Sequence, residues 1–169
     1  ALPILAQYVG KNVDRERLTI VSPDAGRVRV AERWTDVLGS PLAIIHKRRD
    51  PNVPNQVSVL EVVGDVKDRV CVIVDDMIDT GGTISKAADT LFEQGAAEVV
   101  VTATHGVLSD PATERLKNSR ISEVIVTDSL PIPSERRFDK LTVLPIAPLI
   151  ARAITEVFKD GSVTSLFRD

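Results

Sequence analysis

The sequence predicts an α/β protein built on an open, mostly parallel β-sheet flanked by helices. Short apolar runs typical of strands alternate along the chain with segments whose apolar residues recur at helical spacing. The run Val99–Thr104 is continuously apolar or β-branched, which is typical of a parallel strand buried on both faces. With 169 residues and 43% hydrophobic composition, the chain is long enough to form one three-layer domain, residues 1–169.

The first half of the chain is predicted to contain two strands separated by a helix. A strand at Leu18–Ser22 runs into the turn Pro23–Gly26, and the helix Val28–Leu38 is ended by a glycine. The next strand is Leu42–Ile45. The segment His46–Gln56 is polar, basic and interrupted by two prolines, so we expect a mobile loop there.

The second half continues the alternation of strands and helices. After the strand at Val70–Val74, one helix places its apolar residues at positions i, i+3, i+4, i+7 and i+8 from Ile84 and ends at Gly95. The other predicted elements are the strands Val57–Val63, Val124–Thr127 and Leu141–Leu144 and the helices Asp110–Asn118 and Pro148–Phe158.

Composition excludes several classes of protein. The formal net charge is −3, and no basic stripe is interleaved with aromatic residues, which argues against a nucleic-acid binder. No apolar run approaches membrane-spanning length, so we expect a soluble, cytoplasmic protein. The single cysteine, Cys71, excludes an internal disulfide framework, and we expect a buried, inert thiol. Ala1–Val9 is amphipathic and resembles the end of a helix whose beginning is missing, so we expect a fragment.

The segment Val72–Thr83, VIVDDMIDTGGT, is the most informative part of the chain. An apolar strand ends in aspartates, and a Thr-Gly-Gly-Thr turn then opens a helix, whose N-terminal N–H groups form a phosphate site. Asp75, Asp76 and Asp79 would repel that anion, so they must instead accept hydrogen bonds from hydroxyls or hold a cation. A sugar phosphate satisfies both requirements. We expect Asp24, residues 46–56 and Thr104-His105 to converge on the same edge of the sheet.

This segment resembles the phosphoribosyl diphosphate-binding signature of type I phosphoribosyltransferases and diphosphoribosyl-forming synthetases. The signature reads D-D-x-x-D-T-x-G-T, and every defined position is present from Asp75 to Thr83. The resemblance implies a type I phosphoribosyltransferase-like fold. Two other interpretations are an ordinary acidic strand end with a glycine turn, and a receiver domain. The receiver fold carries its acidic pair near the chain start and lacks the Thr-Gly-Gly-Thr turn.

Three further segments resemble one family, the ribose-phosphate diphosphokinases, and in particular their C-terminal half. Ser22–Gly26 matches the turn S-P-D-x-G, Ile45–Arg49 matches the start of the flexible catalytic loop, I-x-K-x-R, and Gly161–Phe167 is similar to the closing S-V-S-x-L-F. Arg27 departs from the pattern, because relatives commonly have a second glycine there. Its role stays open: it could touch a phosphate or cover the helix start.

The resemblance implies a reaction and its cofactor. The family transfers the β,γ-diphosphoryl group of ATP to the 1-hydroxyl of ribose 5-phosphate, giving 5-phosphoribosyl 1-diphosphate and AMP, and uses Mg²⁺. Lys47 and Arg49 would then be catalytic, and Asp24 would hold the metal. The implied substrate-binding residues are Arg49, Asp75, Asp76, Asp79, Thr80, Gly81, Gly82 and Thr83. By strand alternation, Asp76 should point away from Asp75, so only one of the pair should face the ligand directly.

The family also assembles as hexamers, with ADP and phosphate as effectors at a site between subunits. The tail residues matching that site are Ser162, Thr164 and Phe167. In that family, adenine is bound partly by an N-terminal domain, which we expect to lie outside this chain, and no G-x-x-x-x-G-K-[ST] loop is present.

Several interpretations remain open at the level of sequence. Asp24 could simply cap a turn, His105 could be a hydrogen-bonded structural residue, and Lys47 could belong to a solvated basic loop. Two alternative functions are a phosphoribosyltransferase that consumes the diphosphate and a non-catalytic regulatory homologue. Against the first, the chain lacks an aromatic-rich segment to stack a base; against the second, Lys47 and Arg49 are intact.

Overall fold

The structure is a computed structural model that describes residues 1–48 and 59–167. Helices and strands alternate along it, as predicted. The elements in chain order are α1 (Leu2–Asn12), β1 (Leu18–Ser22), α2 (Val28–Leu38), β2 (Leu42–Arg48), β3 (Val59–Val63), β4 (Val70–Ile78), α3 (Gly82–Glu93), β5 (Glu98–Gly106), α4 (Ala112–Lys117), β6 (Glu123–Thr127), β7 (Leu141–Leu144) and α5 (Ala147–Phe158).

The strands form one sheet in the order β3-β2-β1-β4-β5-β6-β7. All neighbouring pairs are parallel except β2 and β3, which are antiparallel. The chain winds from β1 outward to β3 and then returns to place β4 on the other side of β1. The strand order therefore reverses between β1 and β4, and such a switch point opens a crevice at the carboxyl ends of the strands. The predicted fold class is confirmed.

Two apolar clusters cover the two faces of the sheet. Trp34 of α2 and Leu5 of α1 pack with Val72 on one face. On the other face, α3 and α4 pack on the alternate residues of the central strands, including Cys71. The prediction that Cys71 is buried is confirmed, and burial raises the pKa of its thiol to about 12, which favours the unreactive thiol form.

Strand β2 is longer than the sequence predicts. His46, Lys47 and Arg48 pair with β3 in an antiparallel register, in which Lys47 lies opposite Leu60. The prediction of a loop beginning at His46 is therefore wrong for these three residues, because backbone hydrogen bonds to β3 hold them in the sheet. The rest of that predicted loop, and the first two residues of the predicted strand Val57–Val63, lie outside the described residues.

The central strands β4 and β5 also extend past their predicted ends at Val74 and Thr104. They stay paired through Met77 with His105 and Ile78 with Gly106. Each strand supplies backbone hydrogen-bond partners to the other in this region, although it includes the polar residues Asp75, Asp76 and His105. The helices α4 and α5 agree with prediction to within two residues at each end. In the parts of the chain that the structure describes, no helix is both long and apolar enough to cross a membrane.

Candidate functional site

A cavity of about 330 Å³ lies at the switch point, beyond the carboxyl ends of β1 and β4. It contains most of the site residues predicted from sequence. Its lining residues are Asp24, Arg27, Asp75, Asp76, Met77, Ile78, Asp79, Thr80, Gly81, Gly82, Thr83 and Ile84. The strand order thus brings together the turn after β1 and the whole aspartate and glycine segment after β4.

The N-terminus of α3 forms one end of this cavity. Gly81 precedes the helix with φ +71°, a left-handed conformation that favours glycine, and within the described residues no side chain caps the helix. The first intrahelical bond joins Ser85 N–H to the Gly81 carbonyl, so the N–H groups of the first turn have no partner in the helix. Thr83, in that turn, is exposed. This end of the cavity can bind an anion.

Arg115 of α4 supports the turn from outside. Its guanidinium donates a hydrogen bond to the Thr80 carbonyl oxygen. A Cβ added at Gly82 would lie 3.3 Å from Arg115 Nη1, so the glycine lets the arginine approach the turn closely. Arg115 therefore holds the peptide that leads into α3.

The aspartates at the end of β4 form the other end of the cavity and share one arginine. Arg27 Nη2 lies 2.6 Å from Asp76 Oδ2, and Arg27 Nε lies 3.3 Å from Asp75 Oδ1. The Asp75 side chain is 15% exposed and that of Asp76 is 38% exposed. Both carboxylates therefore reach one group on the same side. The expected alternation, with Asp76 pointing away, is wrong for the carboxyl groups because the arginine bridges them.

The environment of Asp75 favours its protonated form. Burial raises the pKa of Asp75 to about 6, and the neighbouring Asp76 side chain acts in the same direction. The hydrogen bond from the Asp76 backbone N–H to Asp75 Oδ1, 2.8 Å long, and the charge of Arg27 lower that pKa and partly offset the rise.

Replacing Asp75 with asparagine should remove a pH dependence of stability. Because the folded protein holds the Asp75 proton more tightly than the unfolded chain does, the stabilisation from Asp75 is complete below about pH 4. It is lost as the pH rises through about 6. Urea unfolding from pH 4 to 7 should therefore show Asp75→Asn gaining stability relative to the unaltered chain as the pH rises. Asp36→Asn, at an exposed position of α2, is the matched control. Parallel profiles for Asp75→Asn and the unaltered chain would contradict the shift.

Asp24 caps the short 3-10 turn Ala25–Arg27 that leads into α2. Asp24 Oδ1 accepts hydrogen bonds from the backbone N–H groups of Gly26, at 2.7 Å, and Arg27, at 3.1 Å. Ser22 Oγ donates to the Asp24 carbonyl oxygen at 2.7 Å. The turn-capping interpretation is thus confirmed, and it places the side chain at the cavity. Within the described residues, no hydrogen bond reaches Asp24 Oδ2.

The remaining predicted residues do not line the cavity or lie outside the described part. His105 lies in β5, where its Nδ1 is 2.8 Å from Ser129 Oγ, in agreement with the structural interpretation. The backbone of Lys47 is in β2, but its side chain and all of Arg49 lie outside what the structure describes. In the tail, Ser162 Oγ is 2.6 Å from Thr164 Oγ1, and the side chain of Phe167 is outside the described part.

The predicted site residues do not include Arg27, Met77 or Arg115. Arg27 was noticed only as a departure from a pattern, and its contact with two aspartates is visible only in the fold. Met77 follows Asp76 in the chain and also lines the cavity. Arg115 lies far along the chain in α4, and no motif in the sequence marks it.

The fold and the position of the site define a class of protein. The structure of an orotate phosphoribosyltransferase from Aeropyrum pernix matches with a TM-score of 0.58 at 18% identity, over 95% of this chain and 75% of that one. At such low identity the match concerns the fold alone. The chain therefore has the fold of the type I phosphoribosyltransferases.

Closer similarities identify the family within this class. A family model described as the phosphoribosyl synthetase-associated domain matches residues 50–168. A ribose-phosphate pyrophosphokinase of Streptomyces avermitilis is 71% identical over 167 residues, which are 99% of this chain and 52% of that protein. The phosphoribosylpyrophosphate synthetase structure from Mycobacterium smegmatis matches with a TM-score of 0.86 at 52% identity, over 95% of this chain and 51% of that one.

The chain belongs to the phosphoribosyl synthetase family, and it corresponds to the C-terminal half of the proteins named ribose-phosphate pyrophosphokinase. It spans about half the length of the curated relatives that it matches.

Proposed function

We propose that this chain is the ribose 5-phosphate-binding half of an enzyme that forms 5-phosphoribosyl 1-diphosphate and AMP from ribose 5-phosphate and ATP. The observation that carries the proposal is the cavity between β1 and β4. One of its ends is an uncapped helix N-terminus with two glycines, and the other is a set of aspartates held by an arginine. An anionic group and a set of hydroxyls fit these two ends.

The 5-phosphate binds at the turn from Thr80 to Thr83. The free N–H groups of the first turn of α3 donate to phosphate oxygens, and the positive end of the helix dipole stabilises the charge. The Thr80 and Thr83 hydroxyls add donors, and both residues are exposed. Gly81 adopts the left-handed conformation at the start of the helix, and Gly82 lets Arg115 approach and hold the turn.

The ribose ring extends from this turn toward β4. Asp75 and Asp79 accept hydrogen bonds from its hydroxyls, and Asp76 adds a second carboxylate beside Asp75. A carboxylate at this end repels a phosphate and accepts from a hydroxyl. The charge distribution of the cavity therefore gives the sugar phosphate one orientation.

The reaction is the transfer of a diphosphoryl group. The 1-hydroxyl oxygen attacks the β-phosphorus of ATP and loses its proton, the bond from that phosphorus to the α,β-bridging oxygen breaks, and AMP leaves. Catalysis of such transfers depends on positioning and on cations that stabilise redistributed negative charge. Lys47 supplies a compact point charge and Arg49 a planar fork for this purpose.

Magnesium supplies Lewis-acid stabilisation of the diphosphoryl oxygens when it is bound. Mg²⁺ is commonly held by one or two carboxylates together with substrate phosphates. Asp24 fits this pattern, because it lines the cavity and only its Oδ1 is used in capping the turn. Within residues 1–48 and 59–167, no group of three or more His, Cys, Asp or Glu side chains could hold a metal by itself. The proposed site therefore needs substrate phosphates to complete it.

The adenine of ATP is bound by the part of the relatives' length that this chain does not span. We further propose that the full-length protein is a homo-oligomer, a hexamer as in the family. Ser162, Thr164 and Phe167 would contribute to an ADP and phosphate regulatory site between its subunits.

Changes at the turn should weaken ribose 5-phosphate binding. Thr83→Val removes a hydroxyl donor. In Gly82→Val, the added Cβ would lie 3.3 Å from Arg115 Nη1, so the branched side chain would press against the arginine that holds the turn. Each variant should bind ribose 5-phosphate at least about tenfold more weakly in calorimetric titration.

Thr155→Val, at an exposed position of α5, is the matched control for Thr83→Val and should bind like the unaltered chain. Circular dichroism spectra and melting curves establish that each variant is folded. Unchanged affinity in both Thr83→Val and Gly82→Val would rule out the phosphate end of the proposed site.

A further inference from the structure

Arg27 is held firmly at the mouth of the cavity. Its backbone N–H donates to Asp24 Oδ1, which defines the turn before α2. The helix that follows is anchored by the buried side chains of Ala31 and Trp34. The Arg27 backbone therefore has a defined position, and its guanidinium lies between the ends of β1 and β4.

The two carboxylates that meet Arg27 would not come together on their own. Asp75 and Asp76 are consecutive in a strand, so their Cβ atoms leave opposite faces of the sheet. Their negative charges repel each other, and Asp75 is largely buried. The guanidinium offsets both effects, since separate N–H groups of one planar fork approach the two acids at 3.3 Å and 2.6 Å.

The contacts of Arg27 leave acceptor capacity on the acids. The closest approaches use Oδ1 of Asp75 and Oδ2 of Asp76. Arg27 therefore does not use Oδ2 of Asp75 or Oδ1 of Asp76, and a carboxylate can accept at both of its oxygens. Among the twelve described residues that line the cavity, Arg27 alone has a cationic side chain, and it contacts the aspartates at the end opposite the α3 turn.

We propose that Arg27 is a positioning residue that turns Asp75 and Asp76 to the same side and presents them as a paired acceptor for vicinal hydroxyls. Arg27 acts on the sugar end of the ligand through the two carboxylates and makes no contact with the phosphate. The identity of the ligand as ribose 5-phosphate rests on the proposed function, whereas the pairing of the carboxylates rests on the contacts of Arg27 alone.

Binding of three ligands to three variants tests this role. Calorimetry with ribose 5-phosphate, 2-deoxyribose 5-phosphate and inorganic phosphate would be carried out on the unaltered chain, Arg27→Gln, Arg27→Lys and Arg33→Gln. Arg33 is an exposed arginine of α2, the helix that follows Arg27, so Arg33→Gln is the matched control. Arg27→Lys keeps the charge but loses the planar fork.

Arg27→Gln should weaken ribose 5-phosphate binding by about tenfold, and 2-deoxyribose 5-phosphate binding by less, because that sugar lacks one of the paired hydroxyls. The preference for ribose should therefore fall, while the affinity for inorganic phosphate stays constant. Arg27→Lys should recover only part of the preference. Tighter ribose 5-phosphate binding in Arg27→Gln, an equal loss for all three ligands, or no loss would each overturn the proposal.

A second readout does not depend on any ligand. Carboxyl-detected NMR titration follows Asp75, which shares the cavity lining with the charged or titratable residues Arg27, Asp76, Asp79 and Asp24. The charge of Arg27 lowers the pKa of Asp75, so that pKa should be higher in Arg27→Gln than in the unaltered chain and Arg33→Gln. An unmoved Asp75 titration would overturn the pairing. If the unaltered chain binds neither sugar phosphate, the proposed function fails, and the titration alone then decides the role of Arg27.

Discussion

Replacing Lys47 with alanine is expected to lower kcat by a factor on the order of 10²–10³, with little change in melting temperature. The assay uses a protein of the relatives' full length that carries this sequence as its C-terminal half, and it measures AMP formation from ATP and ribose 5-phosphate with Mg²⁺. The Lys47 backbone is held by β3, opposite Leu60, and this pairing does not depend on the side chain. In the proposed mechanism, its positive charge stabilises the negative charge that redistributes over the diphosphoryl group.

Two comparisons make this result specific. Lys67→Ala changes an exposed lysine just before the amino end of β4, away from the carboxyl ends of the strands where the cavity lies. This variant should keep full turnover. Binding of ribose 5-phosphate without ATP should change less for Lys47→Ala than for Asp75→Ala, because Lys47 is assigned to the transferred group. A lower melting temperature with normal kcat would show that Lys47 is structural and would contradict the catalytic assignment.

Replacing Gly64 with alanine is expected to destabilise the chain by about 3 kcal/mol or more. Gly64 follows β3 with φ +121°, which an L side chain rarely adopts. A Cβ there would lie 2.7 Å from the Leu42 carbonyl oxygen and 2.8 Å from Ala43 Cα, both backbone atoms of β2. The strands would have to separate, and the pairing that holds Lys47 would be disturbed. Urea unfolding with two spectroscopic probes measures the loss.

Gly39→Ala separates strain from contact. Gly39 ends α2 with φ +64°, and a Cβ there would have no described atom within 4 Å. It should cost only about 1–2 kcal/mol, the usual penalty of the left-handed conformation for alanine. If Gly39→Ala and Gly64→Ala lowered the free energy of unfolding equally, the close approach of β2 to Gly64 would not contribute to the loss of stability.

Local signals in the sequence predicted much of the fold. Strand β1, helix α2 and strand β7 have the bounds that were expected. Each of these elements is defined by its own residues: β1 by a short run rich in apolar and β-branched residues, and α2 by an amphipathic pattern that ends at Gly39 with φ +64°. The cavity also forms around the recognised segment Asp75–Thr83, because a helix N-terminus after a strand is itself a local structure.

Pairing between strands that are distant in the chain explains the main differences between the predicted and the observed elements. His46 to Arg48 are polar and basic, and nothing in their composition favours a strand; they are in the sheet because β3 lies beside them. The ends of β4 and β5 support each other in the same way. Backbone hydrogen bonds between strands do not depend on side-chain type, so local composition carries little information about where pairing stops.

The sequence by itself predicted the class of fold and the residues that line the cavity at its switch point: a Thr-Gly-Gly-Thr turn next to a group of aspartates. The tertiary structure alone decided how these groups are arranged and supported. It brought Arg27, from the turn after β1, onto Asp75 and Asp76 at the end of β4, and it placed Arg115 of α4 on the Thr80 carbonyl. The physical reason is that these contacts join residues about 35 to 50 positions apart, whose proximity follows from the strand order and not from any local pattern.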